Sequence, residues 1–186
     1  MKRLFDLCLA LLGAFLLISL ILVLAIIIRL TSIGPVLYWS DRVGHYNKLF
    51  KMPKFRTMQV DTPAVATHLL PDAKQFLTPV GSFLRKTSLD ELPQLWSIIK
   101  GDMSFVGPRP ALFNQEDLIE LRTQCGVHKL VPGLTGWAQI NGRDELPIPD
   151  KVQLDVEYMN KRSFLFDLKI MTMTILKVAS RDGVKH

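Results

Sequence analysis

Cysteine and histidine are scarce in this chain, and that scarcity removes several classes of protein at once. Of 186 residues only 2 are cysteine, and Cys8 and Cys125 lie far apart. Neither a disulfide framework nor a zinc-ligand spacing is present, which fits a reducing compartment. The four histidines (His45, His68, His128, His186) are scattered, with no spacing suited to a metal. Acidic residues are outnumbered 17 to 23 by lysine and arginine, and the resulting charge of +6 suits an anionic partner. Nucleic acid, anionic lipid and a phosphorylated substrate would all qualify, but no nucleic-acid-binding module is recognisable. Internal repeats and low-complexity tracts are absent too. The length allows one domain with a modest core.

What is plentiful is apolar residues, unevenly placed. Their overall share of 48% is near the soluble average, yet much of it sits in the first thirty residues. From Leu7 to Ile28 the chain is almost unbroken Leu, Ile, Val, Ala and Phe, a run of about 22 residues that reaches the length of a membrane-crossing helix. A cleaved signal peptide would be shorter and would end at a small-residue site, which is missing. A retained membrane helix over residues 1–30 is expected, with residues 31–186 forming the rest. Lys2 and Arg3 precede the run; Arg29, Arg42, Lys48, Lys51, Lys54 and Arg56 follow it, with only Asp41 among them. This bias keeps the body on the cytoplasmic side. Positive flanks at both ends also suit a helix that enters the membrane and returns. Gly13 and Ser19 are its weak points, and no proline forces a break.

Beyond the apolar run, Gly34-Pro35 predicts a turn and Val36–Trp39 a short strand. Residues 60–80, with Pro63, Pro71 and Pro79, read as a loop holding at most a short helix. Ser88 and Glu91 have capping-box spacing, so a helix is predicted from Ser88 to a stop at Gly101, with Leu92, Leu95, Trp96 and Ile99 on its apolar face. A strand over 103–106, a helix over 113–124, a glycine-rich loop over 131–143 and helices over 150–161 and 166–180 complete the pattern. The last helix mixes aliphatic bulk with Lys169 and Lys177, as helices in a membrane interface do; an amphipathic helix packed on the core has the same signature.

Asp90 and Glu91 are the first candidates for chemistry. Neighbours on a helix diverge by about 100°, so the two cannot flank a substrate as a glycosidase pair does. They can act side by side on one phosphate, since a carboxylate can attack phosphorus to give an acyl phosphate. The plain alternative is helix capping, because acidic residues in a first turn offset the dipole. Arg109, held stiff between Pro108 and Pro110, offers a planar fork for phosphate oxygens. Arg85 and Lys86 precede the Asp-Glu pair, and Arg143 follows the glycine-rich loop. Each alone reads as a solvated charge. Converging on two carboxylates, they would suit a diphosphate bound with Mg2+, which needs few protein ligands.

Five motifs occur in order: Lys54-Phe55-Arg56-Thr57-Met58, Ser88-Leu89-Asp90-Glu91-Leu92-Pro93-Gln94-Leu95, Gly101-Asp102-Met103-Ser104, Val106-Gly107-Pro108-Arg109-Pro110 and Pro132-Gly133-Leu134-Thr135-Gly136. Together, over nearly the whole chain, they resemble the bacterial sugar transferase family, the small monotopic polyprenyl-phosphate phosphoglycosyl transferases. The resemblance implies transfer of a sugar 1-phosphate from a UDP-sugar to undecaprenyl or a similar polyprenyl phosphate, with release of UMP. That is the first membrane step of glycoconjugate biosynthesis. By the same likeness Asp90 is the nucleophile and a ligand of Mg2+, and Glu91 its partner carboxylate; Lys54, Arg56, Arg85, Arg109 and Arg143 bind substrate. The implied fold is α/β in the α+β sense, helix-rich with a few short strands, on a re-entrant N-terminal helix and interfacial amphipathic helices. The implied place is the cytoplasmic face of the inner membrane. Partners would be the UDP-sugar, the polyprenyl phosphate and the phospholipid bilayer, with no nucleic acid and with homo-oligomers left open. One departure stands out: the family's apolar helix commonly breaks at Ser-Pro, and here the pair is Ser19-Leu20. Two other functions fit the residues alone, a non-catalytic membrane adaptor and a one-step transferase without a covalent intermediate.

Overall fold

The computed structural model describes residues 1–63, 73–142 and 146–180. The apolar run forms one helix, α1, Lys2–Thr31, about 45 Å long at the usual rise. It passes through Gly13, Ser19 and Leu20 without interruption, so the expected turn-back inside the helix is not formed. With leucine in place of proline, no backbone N–H is missing and nothing clashes with the preceding turn. Only 11% of its most apolar window is buried. Leu4, Leu11, Phe15, Leu16, Ile26 and Leu30 point outward, each at least half exposed.

Both ends of α1 are nevertheless fastened to the same body. At the start, Lys2 Nζ donates to Val106 O and to Asp167 Oδ2, and Asp6 accepts from the Ser104 hydroxyl at 2.8 Å. Arg3 donates to Ile98 O and Ile99 O at 2.5 and 2.7 Å, placing a cation on the end of a helix whose carbonyls lack partners. In the middle Ala10 packs with Leu95, Ile98 and Met103. At the far end Leu24 and Ile28 pack with Phe55 and Leu84, and Ser32 accepts from Arg56.

Among the described residues the body is built on two small sheets. Strands β1, Leu37–Val43, and β2, Leu49–Phe55, form an antiparallel hairpin running from Leu37 opposite Phe55 to Val43 opposite Leu49. A third strand, β4, Ala111–Leu112, joins the free side of β1. Strands β3, Ser104–Val106, and β5, Gly133–Thr135, pair in parallel. Among the described residues six α-helices surround the sheets: α2, Gly81–Lys86; α3, Leu95–Lys100; α4, Glu116–Gln124; α5, Trp137–Asn141; α6, Ile148–Lys161; and α7, Phe164–Ser180. The main core joins Val106, Val127, Leu130, Ile140, Tyr158 and Ile170.

Helix-rich α+β architecture is therefore as expected, and α6 and α7 fall close to their predicted ranges. The segment 131–143 departs from expectation: it holds β5 and α5 where the glycines predict a loop. These glycines serve close approach instead. A Cβ on Gly133 would lie 2.1 Å from Gly107 N, and one on Gly107 would lie 2.4 Å from Val131 O. Two of the five motifs thus meet backbone to backbone. α7 combines both readings of its pattern, with Ile170 fully buried while Phe164, Leu165, Ile175 and Leu176 are exposed.

Candidate active site

The Asp-Glu pair does not open an α-helix. Leu89–Gln94 is a 3-10 segment, entered through Ser88 in the left-handed region (φ 56°) and containing Pro93; α3 begins only at Leu95. Pro93 has no N–H to donate and disfavours α geometry in the residue before it, which accounts for the tighter turn. The predicted capping box is accordingly absent. Ser88 makes no side-chain cap, and the Glu91 carboxylate turns to cations instead.

Lys54 Nζ donates to Glu91 Oε1 at 2.8 Å, and Arg109 Nη2 approaches the same oxygen at 3.4 Å. The period-2 pleat of β2 makes this possible: Phe55 packs beneath α1 while its neighbour Lys54 lines the cleft. Arg85 is steered by a hydrogen bond from its Nε to the Thr57 hydroxyl, 2.9 Å, and its charge acts on Asp90. Asp90 is 7% exposed, and among the described residues no hydrogen bond engages its carboxylate.

The two adjacent acids are pushed in opposite directions. Burial, reinforced by the Glu91 charge and opposed by Lys54, raises the Asp90 carboxyl above its ordinary value. Burial acts on Glu91 in the same sense, but Lys54 and Arg109 together outweigh it and hold that carboxyl well below the usual range. Glu91 is thus an anion held in an ion-pair cluster, while the Asp90 oxygens have no hydrogen-bond partner among the described residues. A pair of acids separated in this way is a mark of divided chemical roles.

The loop bearing Arg109 is held at three successive carbonyls. Gly133 N donates to Pro108 O at 2.9 Å, Arg122 Nη1 to Arg109 O at 2.8 Å and Arg42 Nη1 to Pro110 O at 3.1 Å. Arg122 is itself bound through Nε and Nη2 to Asp155 Oδ2, at 2.9 and 2.6 Å. The flanking prolines were legible in sequence as a source of stiffness. Thr57, Arg122 and Asp155 were not singled out, because a helical arginine and a helical aspartate 33 positions apart carry no mark of their pairing.

Of the expected substrate-binding residues, Lys54, Arg85 and Arg109 gather around the acids. Arg56 does not. Its guanidinium is 4% exposed and is bound to Ser32 and to Ile33 O, so it fastens the exit of α1 to the body. Arg56 lies one residue past the end of β2, so the strand's alternation does not set its direction; it borders the same cleft, but its guanidinium is engaged at the exit of α1. Arg143 lies outside the described residues. No group of three or more His, Cys, Asp or Glu that could hold a metal occurs among the described residues. One or two carboxylates do occur together, and that donor set fits magnesium, whose other ligands are water and phosphate oxygens.

These residues line a cleft of about 1890 Å³, which also takes in Leu9, Gly13 and Leu17 of α1 and Met171 and Ile175 of α7. A carboxylate pair ringed by cations thus opens on a partly apolar cleft beside a membrane-type helix, a setting suited to phosphate chemistry next to lipid. A sequence profile of bacterial sugar transferases matches residues 1–181, and the chain belongs to that family. It is 43% identical over its whole length to an uncharacterized sugar transferase, EpsL, of Bacillus subtilis, spanning 91% of that protein. It is 40% identical, over 95% of its length, to the UDP-glucose:undecaprenyl-phosphate glucose-1-phosphate transferase of Escherichia coli. It is 37% identical, over 81% of its length, to the undecaprenyl-phosphate galactose phosphotransferase of Salmonella typhimurium. Of those two longer relatives it spans 40% and 34%.

Proposed function

We propose that the chain transfers a sugar 1-phosphate from a UDP-sugar to undecaprenyl or a similar polyprenyl phosphate, through a covalent intermediate on Asp90. The observation that carries the reading is the contrast within the pair: Asp90 is buried in the cleft with no hydrogen bond to its carboxylate among the described residues, while Glu91 is pinned by Lys54 and Arg109. An Asp90 carboxylate oxygen attacks the sugar-bearing phosphorus. The bond to the bridging oxygen breaks, and UMP leaves with that oxygen. An oxygen of the prenyl phosphate then attacks the same phosphorus, the acyl phosphate breaks, and Asp90 is returned as a carboxylate. Two steps let one site meet a water-soluble donor and a lipid-embedded acceptor in turn.

Arg109 and Arg85 face the charge that develops on the phosphoryl oxygens, a form of stabilisation strongest where water is excluded. Glu91 holds Lys54 in place and lies beside the incoming acceptor phosphate. Arg143 supplies a further cation by family resemblance. Bound magnesium, with Asp90 as its protein ligand, would offset the diphosphate charge.

Residues 1–30 act as the membrane-inserted element and 31–186 as the catalytic domain. A crossing helix would place Lys2 and Ser32 on opposite sides of a core about 30 Å thick, yet one body binds both ends. The reading is therefore monotopic, with the catalytic domain on the cytoplasmic face of the inner membrane, where the basic flanks of α1 favour retention.

Intact-protein mass after incubation with a panel of UDP-sugars and magnesium, without lipid, tests the mechanism. A sugar-phosphate adduct that vanishes in Asp90→Asn is the expected result. UMP release that begins only when prenyl phosphate is added, with no adduct at any time, would favour direct transfer. Absence of both would remove the catalytic reading.

A further inference from the structure

α1 and α7 meet at their N-terminal ends and then part. Phe5 of α1 sets its ring edge-on against Phe164 of α7, centroids 5.1 Å apart, and Lys2 binds Asp167 beside it. Beyond this junction α1 follows Leu95 and then Phe55 and Leu84. α7 instead follows α5, where Lys177 Nζ donates to Ile140 O. Phe105 and Leu134 lie between the two helices.

Each helix turns a stripe into the opening. On α1 it is Leu9, Gly13 and Leu17; on α7 it is Met171, Thr174, Ile175 and Val178. Spacings of three and four residues keep each set on one face. Lys177 also borders the opening, with its Nζ donating to Ile140 O, and the Thr174 hydroxyl is engaged with Thr135 Oγ1 at 2.7 Å, so the walls are mostly apolar. This groove and the carboxylates of Asp90 and Glu91 belong to one continuous cleft of about 1890 Å³. Typical small-molecule pockets occupy roughly 300–1,000 Å³, so room remains after a phosphosugar is seated.

We propose that the groove between α1 and α7 holds the hydrocarbon chain of the prenyl phosphate acceptor, with the phosphate end at Glu91 and the chain leading out between the helices. The inference rests on the reaction proposed above, which requires an acceptor whose phosphate carries such a chain. Continuity supports it: the mostly apolar walls open directly onto the charged end that the acceptor phosphate must reach. In this arrangement α1 is part of the substrate site as well as the attachment to lipid.

Two measurements test it. A Cβ at Gly13 meets only Leu95 methyls, at 3.8 Å or more, so Gly13→Phe fits the helix and extends a ring into the groove. Ile175→Trp narrows it from the other wall. Each is expected to lower kcat/KM for undecaprenyl phosphate by about tenfold or more, from lost chain burial. With geranyl phosphate, too short to depend on the groove, the change should stay within about twofold. Leu16→Phe, on the exposed face of α1, should leave both unchanged. Equal losses on the two acceptors, or no loss on either, would overturn the groove.

The second measurement needs no turnover. A prenyl phosphate carrying a chain-borne diazirine should label peptides 9–17 and 171–178 of the wild-type protein. Excess undecaprenyl phosphate should suppress the labelling and excess phospholipid should not. Labelling confined to the outward face of α1, or suppressed equally by phospholipid, would mean a general lipid surface and would overturn the proposal. Groove labelling in a protein that releases no UMP would separate failure of the reaction from failure of the site.

Discussion

Replacing Asp155 with asparagine would leave the Arg122 guanidinium buried without its counter-ion. Arg122 is 7% exposed and Asp155 1%, and two of the three N–H groups that Arg122 uses are directed to one carboxylate oxygen. Removing one partner of such a pair costs about 3–5 kcal/mol, because a charge remains where water cannot reach it. In a chain of this length each kcal/mol shifts Tm by roughly 2–4 °C, so thermal scans of Asp155→Asn should fall by roughly 6–20 °C. The third N–H group binds Arg109 O, so the loss should also reach the site. The double variant Arg122→Met with Asp155→Leu separates the two effects. With no charge left inside, stability should recover most of the way, while kcat/KM for the donor stays reduced by about tenfold or more, since the Arg109 carbonyl has lost its donor. A single-variant cost below about 1 kcal/mol would refute the account. So would a double variant as unstable as the two single changes added together.

Lys54→Met should release Glu91 and cut turnover by roughly 10–150-fold, the worth of one charge-assisted hydrogen bond, as read by UMP release. Arg56→Ala should behave in the opposite way, with Tm lowered by the loss of its bonds to Ser32 and Ile33 and donor KM within about twofold. A large rise in KM would restore Arg56 to the substrate site. In the proposed reaction Asp90 attacks only as a carboxylate, and burial raises its folded pKa. Activity should therefore fall as pH drops far enough to protonate Asp90. Followed by NMR in the metal-free protein, the Asp90 carboxyl should titrate above the ordinary aspartate value of about 3.9; a titration at or below that value contradicts the burial argument.

The sequence and the structure agree where a local signal was strong. The unbroken apolar run became a single helix, and the stop at Gly101 holds, with that residue in the left-handed region (φ 101°). Lys54, Arg85, Arg109 and the Asp90-Glu91 pair were legible because composition, order and motif all marked them. Long-range polar pairing was not. Arg122 with Asp155, Arg56 with Ser32, and Lys2 with Asp167 join residues whose spacing obeys no helical or strand period, and only the folded chain shows which charge answers which. The capping-box spacing of Ser88 and Glu91 misled for a related reason. A cap is a local option, and the half-buried Lys54 and Arg109 offer Glu91 a stronger partner than a backbone N–H. The glycines of 131–143 misled because glycine marks both flexible turns and tight backbone contacts, and composition alone does not distinguish them.

The docking of Lys2, Arg3 and Asp6 onto residues 98–167 sets an order of events during synthesis. α1 leaves the ribosome before the body it docks on, and its polar partners, the carbonyls of Ile98 and Ile99, come nearly a hundred residues later, with Tyr158 and Asp167 later still. Contacts so far apart in sequence form slowly, because the intervening chain must close first. Through that interval the exposed stripe of α1 would invite aggregation in water, whereas the bilayer can shelter it at once. The membrane then acts as a folding template: the helix is held in lipid, and the catalytic body assembles onto it from the C-terminal side.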